Sequence, residues 1–376
     1  MEFIPERLAT LRHMKQLSLR ELGERVGVSH TAISNYEKGE DRPRPSILIR
    51  LATVFEVSTE YFFKPLTMEV SSISYRKTSD LTKMQQNAVE AQVKERVEKY
   101  TFIEEVTNSA KSPQLPKEKF LIKEIENAEE AARQLRSQWD LGGDSLPNVT
   151  EILEDKGIKV VFVDFEDSFS GLSLLLNDAI PVIVCNRNLP GDRQRFTLLH
   201  ELGHMVLDVA PDISEEAACH RFAAAFLIPQ AALFEKVGRK RSAIHLDELF
   251  ILKQEYGISL QSLIKRCYEL GVITESTYSN FMKKFNKKGW RKQEPGDAVC
   301  PENSYRFNLL LKRAMAENLI TTSQTMELLE ILPSRTSTVS AEELAKQALD
   351  AKDLYADKEL TIFTDTNVED IYSYED

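Results

Sequence analysis

The sequence predicts a multidomain, mainly α protein with an all-α helix-turn-helix domain at its N-terminus, followed by an α+β domain with a small sheet and an HExxH helix. Three observations support this prediction. Short amphipathic helical patterns fill residues 5–63, three strand-like runs lie between residues 158 and 186, and His200, Glu201 and His204 form the HExxH motif. A chain of 376 residues is also long enough for two or three domains.

The N-terminal pattern predicts five short helices, at residues 5–16, 18–26, 29–37, 45–55 and 59–63. Ser18 and Glu21 have the spacing of a capping box, and Gly27 ends the second helix before Ser29 begins the third. Two helices joined by a short turn with a glycine are typical of a helix-turn-helix. The third helix is therefore the expected recognition helix.

The expected recognition helix and the turn after it carry polar side chains suited to base edges and phosphates. The candidate DNA contacts are Ser29, His30, Thr31, Ser34, Asn35, Lys38, Arg42 and Arg44. The string ISNYEKG at residues 33–39 resembles the end of the recognition helix in the Xre/Cro-type helix-turn-helix family. That resemblance implies a double-stranded DNA operator as partner. Because residues 1–65 hold ten Lys or Arg against nine Asp or Glu, tight binding would need a homodimer on two half-sites.

The formal net charge of -11 argues against bulk coating of nucleic acid, and the charge is uneven along the chain. Residues 283–292 are strongly basic, whereas residues 350–376 hold nine acids against Lys352 and Lys358. A solvated helix face and an acidic tail are the simplest interpretations. The sequence shows neither a secretory leader nor an apolar run of membrane-spanning length, so we expect a cytoplasmic protein without a membrane partner.

These patterns predict five regions. They are a helix-turn-helix domain at 1–65, a helical linker at 66–146, an α+β domain with the HExxH motif at 147–272, a helical C-terminal region at 273–349 and an acidic tail at 350–376.

The string RFTLLHELGHMVL places His200 and His204 four residues apart, on one face of a helix, so both imidazoles can bind one Zn²⁺ ion. Glu201 would reach the water at that metal and act as the catalytic base. This arrangement predicts a zincin-like fold with one zinc per chain. Catalytic zinc takes three protein ligands, so a third must come from elsewhere.

The next helix, within ISEEAACHRFAAAFLIP, offers Glu215, Glu216 and His220 as the third ligand. We predict Glu216, with His220 on the same face as its hydrogen-bond partner or as a substrate contact. Glu215 and His220 remain alternative ligands, and His245 is expected to lie on the surface.

Residues 148–270 resemble the ImmA/IrrE family of metallopeptidase-like regulators. The motifs that carry the resemblance are GLS at residues 171–173, FTLLHELGHMVL and EAACHRFAAAFLIP. The resemblance implies that His200, His204 and Glu216 bind zinc and that Glu201 is the catalytic acid and base. It also implies a narrow protein substrate, typically a repressor. The family often has Asn where this chain has His220.

Two functions follow from these features. One is a DNA-binding regulator whose zinc endopeptidase domain cleaves or controls a specific regulatory partner in a phage, mobile-element or stress circuit. The alternative is an antitoxin or autorepressor of a toxin–antitoxin pair, in which the zinc domain is structural or binds a toxin.

Overall fold

A computed structural model describes residues 2–64, 73–75, 82–165, 169–291 and 294–329. Contacts divide the chain into two compact units. The first contains Met1–Glu95 and Lys111–Ser304, and the second is formed by Arg96–Ala110 and the chain from Tyr305 onward. The acidic tail predicted at 350–376 lies outside the described residues, as do residues 66–72 and 76–81 of the linker predicted at 66–146.

The N-terminal domain consists of four α-helices and one 3₁₀ turn, which are α1 (Pro5–Met14), α2 (Leu19–Val26), α3 (His30–Lys38), α4 (Pro45–Phe55) and the 3₁₀ turn Thr59–Phe63. Both capping-box bonds predicted at the start of α2 form between Ser18 and Glu21. Gly27 ends α2 in the left-handed conformation that glycine adopts most readily. The helices enclose fully buried side chains such as Leu22, Ile33 and Phe62. All five predicted helical segments are present.

A long helix, α5 (Lys83–Val106), packs its first half against this domain. The buried Glu95 carboxylate accepts a hydrogen bond from the Tyr61 hydroxyl at 2.9 Å and lies 3.6 Å from the Arg7 guanidinium. Arg7 also lies over the Tyr61 ring. Burial, followed by the charge of Glu95, raises the pKa of Tyr61, so this hydroxyl stays protonated and acts as a donor.

The rest of the first unit is an α+β domain. Its strands are β1 (Ile73–Tyr75), β2 (Phe120–Ile122), β3 (Lys159–Val163), β4 (Gly171–Leu176), β5 (Ile180–Asn186) and β6 (Leu207–Val209). Its helices are α6 (Asn127–Gln138), α7 (Val149–Asp155), α8 (Gly191–Val206), α9 (Glu215–Leu227), α10 (Gln230–Val237), α11 (Leu246–Tyr256), α12 (Leu260–Glu269) and α13 (Glu275–Lys288).

The main sheet has the strand order β1-β4-β5-β3. Strands β3 and β5 pair in parallel, whereas β4 pairs antiparallel with both β5 and β1. The three predicted strand runs became β3, β4 and β5. Strand β2 pairs in parallel with β6 as a separate two-stranded sheet directly after α8.

Helix α8 packs against both the main sheet and α9, and nearly all of its residues are buried. Two glycines permit this packing. A Cβ on Gly171 of β4 would lie 2.6 Å from Thr197 Cγ2, and a Cβ on Gly203 of α8 would lie 3.2 Å from Cys219 of α9. The α8 helix is therefore held at close range on both sides.

Part of the predicted linker belongs to this domain. Helix α6 buries Ala128, Ala132 and Leu135 in the same apolar core as α8 and α9. Its Glu129 accepts two hydrogen bonds from Arg266 of α12, whose side chain is fully buried. The sequence pattern identified a helix there, but it could not show this contact with a residue 137 positions away.

The boundary predicted at residue 272 also differs from the structure. Helix α13 packs on α12 through the fully buried Phe285. After α13 the chain returns to α8, where the buried Glu302 carboxylate lies 2.7 Å from Arg195 and accepts a hydrogen bond from the Thr150 amide. This return segment, residues 294–304, covers the start of α8 so closely that a Cβ on Gly191 would collide with the Cys300 carbonyl.

The second unit contains the last part of α5 with α14 (Arg306–Ala316) and α15 (Thr322–Leu329). Tyr100 and Phe307 pack with ring centroids 5.6 Å apart, and Arg306 pairs with Glu104 at 3.0 Å. Throughout the described ranges no single helix has both the length and the apolarity needed to cross a membrane. Helices α9 and α10 meet these criteria only when taken together across a 59° bend.

The Glu129–Arg266 pair gives a test of whether α6 is a structural part of the domain. Glu129→Ala leaves a buried guanidinium without its carboxylate partner, so we expect a loss of roughly 3–5 kcal/mol in the free energy of unfolding. The neighbouring Glu130 pairs with Arg133 on the surface, and Glu130→Ala should cost less than about 1 kcal/mol. Urea unfolding of both variants measures the difference, and equal stabilities would contradict this assignment.

Candidate metal centre and nucleic-acid interface

Helix α3 presents one polar face to solvent. Its buried side chains Ile33 and Tyr36 point into the helical domain. At about 100° per residue, His30, Thr31, Ser34, Asn35 and Lys38 fall within an arc of roughly 140° away from those apolar positions. His30, Thr31 and Lys38 are exposed, and Ser34 and Asn35 are half-buried. The structure thus brings the predicted α3 contacts together on one surface.

Three predicted DNA contacts also have partners within the domain. The Ser29 hydroxyl accepts a hydrogen bond from the Ala32 amide as the N-cap of α3. The Asn35 amide group, oriented with its nitrogen toward Glu40, donates to that carboxylate and to the Thr31 carbonyl. Arg42 forms an exposed ion pair with Glu2. Arg44 is the exposed N-cap residue of α4, with no cap bond from its side chain.

The metal-binding motif lies on α8, which positions both histidines. His200 and His204 are one turn apart and are 8% and 2% exposed, respectively. Their Nε2 atoms approach to 3.2 Å, and the rings meet edge to face. This approach directs the two nitrogen lone-pair positions toward one common point.

The third member of the group is Glu216, in the first turn of α9. Its carboxylate oxygens lie 3.5 Å from His200 Nε2 and 3.4 Å from His204 Nε2. A tetrahedral zinc ion with ligand bonds of about 2.0–2.1 Å has ligand atoms roughly 3.3 Å apart. The three measured separations match this spacing, so the residues present fit a zinc ion. His200, His204 and Glu216 are the group of metal-ligating side chains that converges among the described residues.

Glu215 contacts the second ring nitrogen of His204. Its Oε1 atom lies 2.8 Å from His204 Nδ1. A carboxylate in this position would fix the ring orientation of a histidine ligand. The sequence indicated Glu215 only as an alternative ligand. The two adjacent acids in SEE were the signal for a ligand and for a hydrogen-bond partner of a histidine.

His220 lies at the edge of this group of side chains. It is exposed, stacks on the Phe196 ring at a centroid distance of 5.7 Å, and lies tilted against the His200 ring at 4.5 Å. It therefore borders the site beside His200. His245 caps α11 at the surface and pairs with Asp247, as expected.

Glu201 is 4% exposed and follows His200 on α8. A Cβ on Gly171 would lie 3.6 Å from Glu201 Cγ, so the first residue of β4 lies directly beside this carboxylate. Cys185, which pairs with Gly171 on the neighbouring strand β5, has a buried thiol near Glu201. Burial and then the charges of Glu201 and Glu302 raise the pKa of Cys185, which keeps the thiol neutral.

Lys119 is a residue that the sequence analysis missed. Its ammonium group donates to the carbonyls of His204 and Leu207, at 3.1 and 3.2 Å, where α8 ends. A cation at a helix C-terminus satisfies its last carbonyls and favours the helix dipole. Because Lys119 lies in the region predicted as a linker, no local motif indicated this role.

Comparison with known proteins agrees with both motif regions. Residues 8–62 match the family model of a helix-turn-helix, and residues 153–268 match that of the IrrE N-terminal-like domain. An uncharacterised HTH-type transcriptional regulator of Sinorhizobium fredii is 30% identical over 71 residues, which are 19% of this chain. The matched segment is 50% of that relative's own length. The two resemblances predicted from the motifs are confirmed.

Gly171 offers a test of the close packing at Glu201. In Gly171→Ala the new methyl group collides with Thr197 and with the Val184 carbonyl, both backed by buried structure. We expect a loss of roughly 1–3 kcal/mol in the free energy of unfolding. Gly143→Ala is the matched control, because nothing lies within 4 Å of a Cβ there. Thermal unfolding of both variants decides the point, and equal melting temperatures would show that β4 and α8 are less tightly packed.

Proposed function

The chain joins a helix-turn-helix domain to an IrrE N-terminal-like domain, and from this premise we propose that it is a DNA-binding transcriptional regulator with a zinc-dependent endopeptidase domain. The observation that carries the proposal is the convergence of His200, His204 and Glu216 beside the buried Glu201. We propose a specific regulatory protein as the substrate. The curated relative, whose printed name is an HTH-type transcriptional regulator, supports the regulatory part.

The roles of the chain's own residues follow from their positions. His200, His204 and Glu216 would hold the zinc ion, with Glu215 orienting His204. Zinc, when bound, supplies Lewis acidity that makes water a nucleophile near neutral pH and polarises the scissile carbonyl. The Glu201 carboxylate accepts a proton from the attacking water and passes it to the leaving amine nitrogen as the C–N bond breaks.

Strand β4 supports an extended peptide as the substrate. Within the ranges that the structure describes, it pairs with β5 along its whole length and with β1 at Leu174–Leu176. Its first half begins at Gly171, beside Glu201. A peptide strand added along this half would use backbone hydrogen bonds and would place a peptide bond near the carboxylate.

The DNA-binding part of the proposal rests on the exposed face of α3. His30, Thr31, Ser34 and Lys38 would face the major groove, and Arg44 would contact the phosphate backbone. Because the domain carries little net charge, we propose that a homodimer binds two half-sites.

Metal content and cleavage test the peptidase together. We expect about one zinc per chain in wild type and Glu201→Gln, because Glu201 is not a ligand, and much less zinc in Glu216→Ala. Glu215→Gln should weaken zinc binding by roughly 10- to 100-fold, as expected for a partner of a metal-binding histidine. The measurement is elemental mass spectrometry at a fixed free zinc concentration, paired with incubation against the product of the neighbouring gene and the cell's own Xre-type repressors.

A shortened partner with wild type, and an intact one with Glu201→Gln, would establish hydrolysis with Glu201 as the base. Full zinc without cleavage, accompanied by a stable complex with an intact toxin, would support the antitoxin function. An absence of zinc in wild type would refute the metal site. Asp247→Ala, on the surface beside His245, serves as a control that should change neither property.

DNA binding is tested with an electrophoretic shift on the gene's own upstream DNA at low salt. Thr31→Ala and Lys38→Gln should each weaken specific binding by about fivefold or more, because each removes a contact from the exposed face of α3. Lys15→Gln, at the end of α1, should bind as tightly as wild type. A wild-type protein that fails to shift this DNA at low salt would count against operator binding.

A further inference from the structure

The exposed side of α13 carries a concentration of positive charge that the proposed operator and metal sites do not use. The five cations are Lys283, Lys284, Lys287, Lys288 and Arg291. All five are exposed, and we call this group the α13 basic face. Between residues 275 and 291 the sequence contains one acid, Glu275, at the opposite end of the helix. In a chain with a net charge of -11, such a segment is a strong local exception.

The geometry of α13 separates its charge from its apolar residues. Tyr278, Phe281, Met282 and Phe285 pack into the main core of the α+β domain. At about 100° per residue, the four lysines fall within an arc of roughly 140° on the other side of the helix. Because the apolar side is packed against the core, it is not available to a membrane. The lysine side faces solvent.

The α13 basic face is not neutralised within the described residues. None of its five cations forms an ion pair with a described carboxylate, whereas other exposed cations do, such as Lys236 with Glu255 at 2.7 Å. Lys284 instead lies over the Trp290 ring at 5.8 Å, and that ring packs edge to face on Phe285. The cation is thus positioned by an aromatic side chain that is itself anchored in the core.

This charge distribution disfavours the isolated helix. Lys283 and Lys287, like Lys284 and Lys288, are one turn apart, and such like-charged pairs destabilise a helix. Only the last turn gains from the helix dipole, which favours Lys287 and Lys288 at the C-terminus. An anionic partner with regularly spaced charges would remove the repulsion, and a DNA backbone offers one negative charge per roughly 1.7 Å of helix axis.

We propose that the α13 basic face binds DNA phosphate groups and so gives the metal-binding domain its own, sequence-independent contact with DNA. This inference rests on the proposed DNA binding by α3. The charge of the N-terminal domain supports the inference. Residues 1–65 hold ten cations against nine acids, so positive charge on the α13 basic face would strengthen DNA binding.

The salt dependence of DNA binding tests the proposal in the full-length protein. The variant replaces Lys283, Lys284, Lys287 and Lys288 by Gln, which has a similar helix propensity. Binding to a fluorescent duplex of about 40 base pairs from the gene's own upstream DNA is followed by anisotropy across a salt series. The slope of log K against log salt is negative, and each lost phosphate contact reduces its magnitude by about 0.9. We expect the magnitude of the slope to decrease by about 2 or more. Binding at low salt should be at least tenfold weaker.

Two controls isolate the phosphate contact. Replacing the same four lysines by Arg preserves the charge and should retain the wild-type slope. Lys117→Gln with Lys123→Gln removes two exposed charges elsewhere and should also leave it unchanged. Circular dichroism and zinc content of the Gln variant should equal those of wild type.

A slope change below about 0.9 in the Gln variant, while wild type binds the duplex, overturns this proposal alone. That is also the outcome if the α13 basic face serves an acidic protein segment. A wild-type protein that binds no duplex at low salt overturns the proposed DNA binding together with this inference. A flatter slope in Lys38→Gln but not in the fourfold α13 variant would assign the phosphate contacts to the N-terminal domain only.

Discussion

The close packing of α8 against α9 determines where the metal-ligating atoms lie. His200 and His204 come from one helix, and their shared face follows from helix geometry. Glu216 comes from another helix, and it reaches them only because Gly203 allows Cys219 to approach α8 without an intervening side chain. The same crossing brings Glu215 to His204 Nδ1. One helix–helix contact therefore positions both the proposed ligand Glu216 and the carboxylate that would orient His204.

The opposite side of α8 is held with equal precision by the sheet. Gly171 lets β4 approach Thr197 and Glu201, and Lys119 satisfies the carbonyls at the end of the helix. The structure thus surrounds the HExxH helix with a strand, a second helix and the ammonium group of Lys119. Such enclosure restricts the rotamers of its side chains, and a metal site requires that restriction to keep its geometry when the ion leaves.

Much of the architecture could be predicted because it depends on local signals. The caps Ser18 and Ser29 and the glycine at position 27 defined the N-terminal helices, and apolar runs defined β3, β4 and β5. The three-residue strands β1, β2 and β6 were missed, since so short a segment shows no periodicity. The sequence pattern alone could not distinguish Glu215 from Glu216, because both lie in one helical turn. Only the crossing of α8 and α9 places Glu216 near both Nε2 atoms and Glu215 at His204 Nδ1.

Residues 294–304 have a consequence for dissecting the molecule. The segment that matches the IrrE N-terminal-like domain ends at residue 268, yet Glu302 neutralises Arg195 within α8, and Glu129 neutralises Arg266 from before the matched region. A fragment trimmed to the matched residues would expose two buried guanidinium groups and strip the cover from the start of α8. The chain that completes this domain includes β1 and runs from Lys111 through Ser304, so expression at the matched limits would remove both buried ion pairs.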